Sequence, residues 1–135
     1  MPIDLNEKKK ILLVDDDEIH LTTAKLFLEK EYQVYRAKSG NDALELLTVN
    51  KLIPDLILLD IIMPSMDGWE VYNRLKAVSY LAGVPIAFLT SVNEIKDKNR
   101  AIEIGAADFF VKPYNEADLK FRIAKIFEKK NDGST

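Results

Sequence analysis

The sequence contains no cysteine. A disulfide scaffold, a thiolate zinc site and a thiol nucleophile are therefore excluded. It also lacks an excess of one charge: 19 Lys and Arg stand against 22 Asp and Glu, a net charge of −3. A nucleic-acid surface needs a concentrated basic face, so no direct nucleic-acid partner is expected. No stretch approaches the roughly 18 unbroken apolar residues of a membrane span. The polar opening, Met1 to Lys10, lacks the apolar segment of a signal peptide, and the expected location is the cytoplasm. What is present is ordinary for a globule: 47% apolar and 30% charged residues over 135 positions. That length suits one domain, 1–135, with a core at about 9–129 and loose ends.

Two kinds of segment alternate along the chain. Ile11-Leu12-Leu13-Val14, Leu56-Ile57-Leu58-Leu59 and Pro85-Ile86-Ala87-Phe88-Leu89 are short continuous apolar runs. Gln33 to Ala37 and Asp108 to Val111 are weaker versions. Runs of this kind predict strands buried on both faces, as in a parallel sheet. The stretches between them are amphipathic. Ile19, Thr23, Leu26 and Phe27 share one helical face; so do Val71, Leu75 and Val78, and again Leu119, Ile123, Ile126 and Phe127. Asp17, Ser39, Asp67, Ser91 and Asn115 stand where helix N-caps are expected. The segment Glu94 to Ile104 has the poorest periodicity, and Gly105 reads as its stop. Five strand–helix units with right-handed crossovers predict an α/β fold, a doubly wound parallel sheet with helices on both faces.

In such folds ligands sit beyond the carboxyl ends of the strands. The predicted strands end there in Asp15-Asp16-Asp17, Asp60, Thr90-Ser91 and Lys112-Pro113. Clustered carboxylates repel one another, and a hard divalent cation with oxygen ligands, such as magnesium, relieves that repulsion. A carboxylate is also a competent nucleophile toward a phosphoryl group. A hydroxyl and an ammonium then serve the remaining phosphoryl oxygens. Each residue alone has a plainer use: Asp17 as a helix cap, Lys112 as a surface charge, Thr90 and Ser91 as caps. Together at one rim they point to phosphoryl transfer onto an aspartate. His20, the one histidine, reads as a solvated helix residue, and Trp69 as a partly buried packing residue.

These residues resemble the receiver domain of two-component response regulators, chemotaxis regulators among them. The resemblance runs from about Lys9 to Lys129. It is carried by Ile11 to Asp17, by Asp55 to Gly68 with its Met63-Pro64-Ser65-Met66-Asp67-Gly68 segment, by Phe88 to Ser91, and by Gly105 to Pro113. It implies a flavodoxin-like five-stranded parallel sheet of order 2-1-3-4-5, a (βα)5 three-layer sandwich. It implies that Asp60 is the phospho-acceptor. Asp15, Asp16, Asp60 and the backbone carbonyl of Ile62 would hold Mg2+, with Mn2+ as a substitute. Thr90 would be the switch hydroxyl, Phe109 the switch aromatic that turns inward, and Lys112 the lysine that bridges to the phosphoryl group ahead of a cis Lys112–Pro113 bond.

The partners implied are a histidine kinase or a histidine phosphotransfer protein, and an output domain that is fused or separate. A homodimer through the fourth helix, fifth strand and fifth helix is among the arrangements implied. Tyrosine is common where Phe109 stands; phenylalanine keeps the size but loses the hydroxyl that could bond a backbone group. Ala107 replaces the first of two acids usual in winged-helix regulators, which points away from that output. Ile62 and Val92 flank the mouth of the site where fast-decaying relatives carry polar residues, so slow autodephosphorylation is expected. Two rivals remain. One is a pseudo-receiver that binds without phosphorylation. The other is a haloacid-dehalogenase-like phosphatase with Asp15 as nucleophile, which leaves Asp60 and the segment after it unexplained.

Overall fold

The computed structural model describes residues 8–91 and 94–131, with side chains to 129. Strands and helices alternate: β1 Lys10–Val14, α1 Glu18–Leu28, β2 Gln33–Ala37, α2 Gly40–Thr48, β3 Leu56–Asp60, α3 Gly68–Lys76, β4 Ile86–Thr90, α4 Ile95–Glu103, β5 Asp108–Val111 and α5 Glu116–Asn131. All strand pairs are parallel, in the order β2-β1-β3-β4-β5. The expected flavodoxin-like doubly wound sheet is what the chain forms. No helix among the described residues is long and apolar enough to cross a membrane.

Successive strand residues point to opposite faces, so each apolar run feeds two cores. Ile57 and Leu59 of β3 pack with Leu47 of α2, Val71 and Leu75 of α3, and Ala101 of α4. Leu56 and Leu58 of the same strand pack with Leu21 and Leu28 of α1 and Ile123 and Phe127 of α5. The result is three layers, with α1 and α5 on one side and α2, α3 and α4 on the other. Removing a fully buried Leu or Ile side chain from water contributes about 1.5–3 kcal/mol, and these central strands are built of little else. Trp69 belongs to the first core. Its ring lies 4.6 Å from that of Phe88, and the Arg100 guanidinium of α4 covers it at 4.2 Å.

Helix ends follow the expected chemistry with one exception. Asp17, Ser39 and Asp67 accept backbone N–H bonds as N-caps of α1, α2 and α3, and Asn115 accepts from the Asp118 N–H. Gly105 ends α4 with φ of +83°. Its N–H reaches the Ile102 carbonyl, and the Ala106 N–H reaches that of Ala101, a Schellman closure that needs the left-handed residue. The exception is the start of α4. Its cap is Glu94, not Ser91, and the Glu94 side chain makes no cap hydrogen bond to the helix's free N–H groups. Only Ala101 of this helix is buried, so α4 is held by few contacts.

The buried face of α1 also differs from the expected one. Leu21, Ala24 and Leu28 face the sheet, whereas Ile19 is 74% and Leu26 63% exposed. Both sets have helical spacing. An apolar pattern on two faces does not say which one the sheet covers.

Candidate functional site

The sheet reverses its winding between β1 and β3, and the crevice beyond their carboxyl ends is where a doubly wound fold opens. Asp15 follows β1 directly and is 1% exposed; Asp60 ends β3 and is 4% exposed. Thr90 ends β4 and is fully buried. Lys112 follows β5, and its backbone N–H bonds the Thr90 carbonyl at 2.7 Å. The Lys112–Pro113 bond is cis. Strand register fixes these neighbours: Asp60 lies beside Leu89, and Thr90 beside Val111.

The Lys112 ammonium reaches into the gap between the acids. It donates to Asp15 Oδ2 at 2.8 Å and to Asp60 Oδ2 at 3.1 Å. The second oxygen of Asp15 accepts from the Asp17 N–H at 2.9 Å, and that of Asp60 from the Ile62 N–H at 3.3 Å. Asp16 remains exposed. One carboxylate oxygen from each of Asp15, Asp16 and Asp60 lies within 4.8 Å of the others. Three hard anionic oxygens at that spacing, opposed by a single ammonium, fit a divalent cation of the magnesium type.

Burial pushes the Asp60 carboxyl up to about 7. The Lys112 charge works against that rise and the Asp15 charge adds to it. For Lys112, burial pulls downward, but the hydrogen bond to Asp15 and the charges of Asp60 and Asp15 outweigh it and push the ammonium up. The lysine is thus held in its charged form, while burial makes Asp60 harder to ionise.

Two residues of this region were not legible as such in the sequence. His20 is only in part the solvated helix residue expected: its side chain is 30% exposed, and its ring faces the site. Its Nδ1 lies 3.3 Å from Lys112 Nζ and 3.8 Å from Asp15 Oδ2. Tyr114, just past Pro113, buries a hydroxyl that has no hydrogen-bond partner among the described protein groups. Burial, with the charges of Asp15, Asp60 and Asp17, pushes its phenol well above the usual tyrosine range. Tyr114→Phe gives up no protein hydrogen bond. It is expected to leave stability unchanged or raise it by up to about 1 kcal/mol. A urea melt checks this, and a clear loss would mean that the hydroxyl is engaged.

Of the other anticipated positions, Ile62 presents a 57% exposed apolar side chain next to Asp60. Val92 lies outside the described residues. Phe109 is already inward, 7% exposed, within the core on the α4 side.

Residues 11–124 match the family model described as the response regulator receiver domain. A probable transcriptional regulator, ycf27, of Pyropia yezoensis is 36% identical over 129 residues, covering 92% of this chain and 49% of that protein. Histidine kinase P4 of Formosa agariphila is 33% identical over 124 residues, covering 92% of this chain and 9% of that protein. The chain thus spans about half of the first relative and a small part of the second. Among solved structures, the chemotaxis protein CheY4 of Vibrio cholerae superposes with a TM-score of 0.81 at 28% identity, covering 88% of this chain and 98% of that one.

Proposed function

The chain belongs to the response regulator receiver family, and from that premise we propose that it is a phospho-acceptor switch in which Asp60 receives a phosphoryl group. The observation that carries this reading is the placement of Asp60. It is a buried carboxylate at a strand tip, beside two further acids and bonded by one ammonium.

Receiver domains bind Mg2+ at such an acidic cluster, and here Asp15, Asp16, Asp60 and the backbone carbonyl of Ile62 would hold it. When bound, the cation neutralises phosphoryl oxygens and favours the ionised, nucleophilic form of the acceptor. Lys112 keeps its proton and offers an N–H to a phosphoryl oxygen. The hydroxyl of Thr90 serves as a further donor. A phosphoryl group brings about −1.5 to −2 charges at neutral pH. Drawing Thr90 and Lys112 toward it biases the strand tips of β4 and β5 and, through Phe109, the α4–β5–α5 surface. That surface is suited to a readout. Ile95 and Ile102 of α4 are 76% and 65% exposed, and Val111 of β5 is 38% exposed. Receiver domains work with histidine kinases and output domains. We propose a histidine kinase or phosphotransfer protein as donor, and as acceptor of the signal an output domain or a second copy of this chain.

Acetyl phosphate with Mg2+ should add one phosphoryl group, seen by intact mass, and chelation should prevent it. An unlabelled wild type, under conditions that label another receiver, would sink the reading and favour a pseudo-receiver. Lifetime gives a second check. An apolar side chain at Ile62 orients no hydrolytic water. Ile62→Asn combined with Val92→Glu is expected to speed loss of the phosphoryl group by about tenfold, modest for a positioned polar group acting on water. Decay of the labelled species over time measures it, and an unchanged rate would refute it.

A further inference from the structure

The Lys112 side chain is 4% exposed, and an ammonium has three N–H donors and no acceptor. Two of its donors go to Asp15 and Asp60. The third direction meets His20 Nδ1 at 3.3 Å. Since the ammonium has no lone pair, the imidazole must be the acceptor in this contact. A hydrogen bond at this contact requires Nδ1 to be bare, with the ring proton on Nε2. The neighbouring distances support this assignment. Asp17 and Asp15 carboxylate oxygens lie 3.6 and 3.8 Å from Nδ1, too far to receive a hydrogen bond from it. Every donor of the buried ammonium is thus satisfied by a protein group, one from β1's tip, one from β3 and one from α1.

We infer that His20 is a positioning residue for Lys112, holding the ammonium in place while Asp60 exchanges its role. The inference rests on the reading of Asp60 as phospho-acceptor. In that step an Asp60 carboxylate oxygen forms the bond to phosphorus as the donor's P–O bond breaks, and the leaving acetate keeps the electron pair. Lys112 neither gains nor loses a proton. The N–H that pointed at Asp60 turns to a phosphoryl oxygen. Asp15 and His20 keep the other two N–H groups and so fix where the third one points. Without His20, the ammonium would pivot on a single remaining anchor.

The test compares His20→Leu, which keeps bulk and removes the acceptor, with His20→Asn, whose side-chain oxygen can stand where Nδ1 stands. With acetyl phosphate and Mg2+, His20→Leu is expected to take up the phosphoryl group about five- to tenfold more slowly, the scale of one charge-assisted hydrogen bond. His20→Asn is expected to recover most of that loss. Exchange of the Lys112 ammonium protons with water, followed by nitrogen NMR without any phosphoryl donor, should quicken in His20→Leu and not in His20→Asn. A merely structural role would not separate the two variants in this way. Wild-type rates and exchange in His20→Leu, or equal impairment of both variants, would overturn the inference. If wild type itself takes up nothing, the reading of Asp60 falls, and the ammonium exchange still decides the role of His20.

Discussion

Asp60→Asn is expected to abolish phosphoryl uptake and, at neutral pH without divalent metal, to make the protein more stable than wild type. The first half follows because an amide has no ionised oxygen with which to attack phosphorus. The second half follows from burial. The Asp60 carboxyl titrates near 3.8 when unperturbed and is pushed up to about 7 in the folded chain. Between those values the folded state holds a proton that the unfolded state has lost. Its stability is then complete below about pH 4 and falls as pH rises toward 7. Desolvation outweighs the attraction of Lys112 in setting this sign. Asparagine has no charge to desolvate, so the decline should vanish. In chelator at pH 7.5 the melting temperature is expected to rise by about 3–10 °C, given some 4 °C per kcal/mol for a domain of this size. Adding Mg2+ should narrow the gap, because the cation favours the ionised carboxylate of wild type. Melting scans from pH 4 to 8, with chelator and with Mg2+, measure all three effects. A lower melting temperature for Asp60→Asn in chelator would mean that the Lys112–Asp60 pair is worth more than the burial costs.

The central strands β1, β3 and β4 were legible because each is a continuous apolar run, and both faces of the sheet are covered there. The acids were legible for the same reason: Asp15 and Asp60 stand directly after such runs, where a parallel sheet opens. Strand order was not in the periodicity; it came with the family resemblance and is the order observed. The miss at His20 follows from the miss on α1. Positions 20, 24 and 28 are one turn apart, so the face that buries Ala24 and Leu28 also carries His20 to the rim of the site. Choosing the face of Ile19 and Leu26 turned His20 toward solvent. Tyr114 was hidden differently. Nothing in a sequence tells whether a tyrosine past a proline leaves its hydroxyl inside or outside. The displaced start of α4 was not legible either: Ser91 offers good cap chemistry, but Glu94 takes the cap position and makes no side-chain cap hydrogen bond.

Gly68 shows where the sequence held a feature without its reason. It closes the Met63-Pro64-Ser65-Met66-Asp67-Gly68 segment and is the first residue of α3. Its N–H donates to the Ile61 carbonyl at 2.7 Å, drawing the helix start onto the end of β3. A Cβ at Gly68 would lie 2.4 Å from the Asp60 carbonyl oxygen and 2.8 Å from the Ile61 Cα. Both are backbone atoms and neither can swing aside as a side-chain tip would. Gly68→Ala must therefore push α3 off the sheet or shift the backbone of the phospho-acceptor. The expected cost is about 3 kcal/mol or more, at the upper end of overpacking effects, or a fall of roughly 10 °C in melting temperature. The cost should reach the site as well, with weaker Mg2+ binding and slower phosphoryl uptake in whatever fraction folds. Gly83 supplies the control. A Cβ there meets nothing within 4 Å, so Gly83→Ala should be neutral or stabilising by up to about 1 kcal/mol through the unfolded chain. Urea titrations of the two variants beside wild type decide the matter, and equal midpoints would refute the close approach of Gly68 to Asp60.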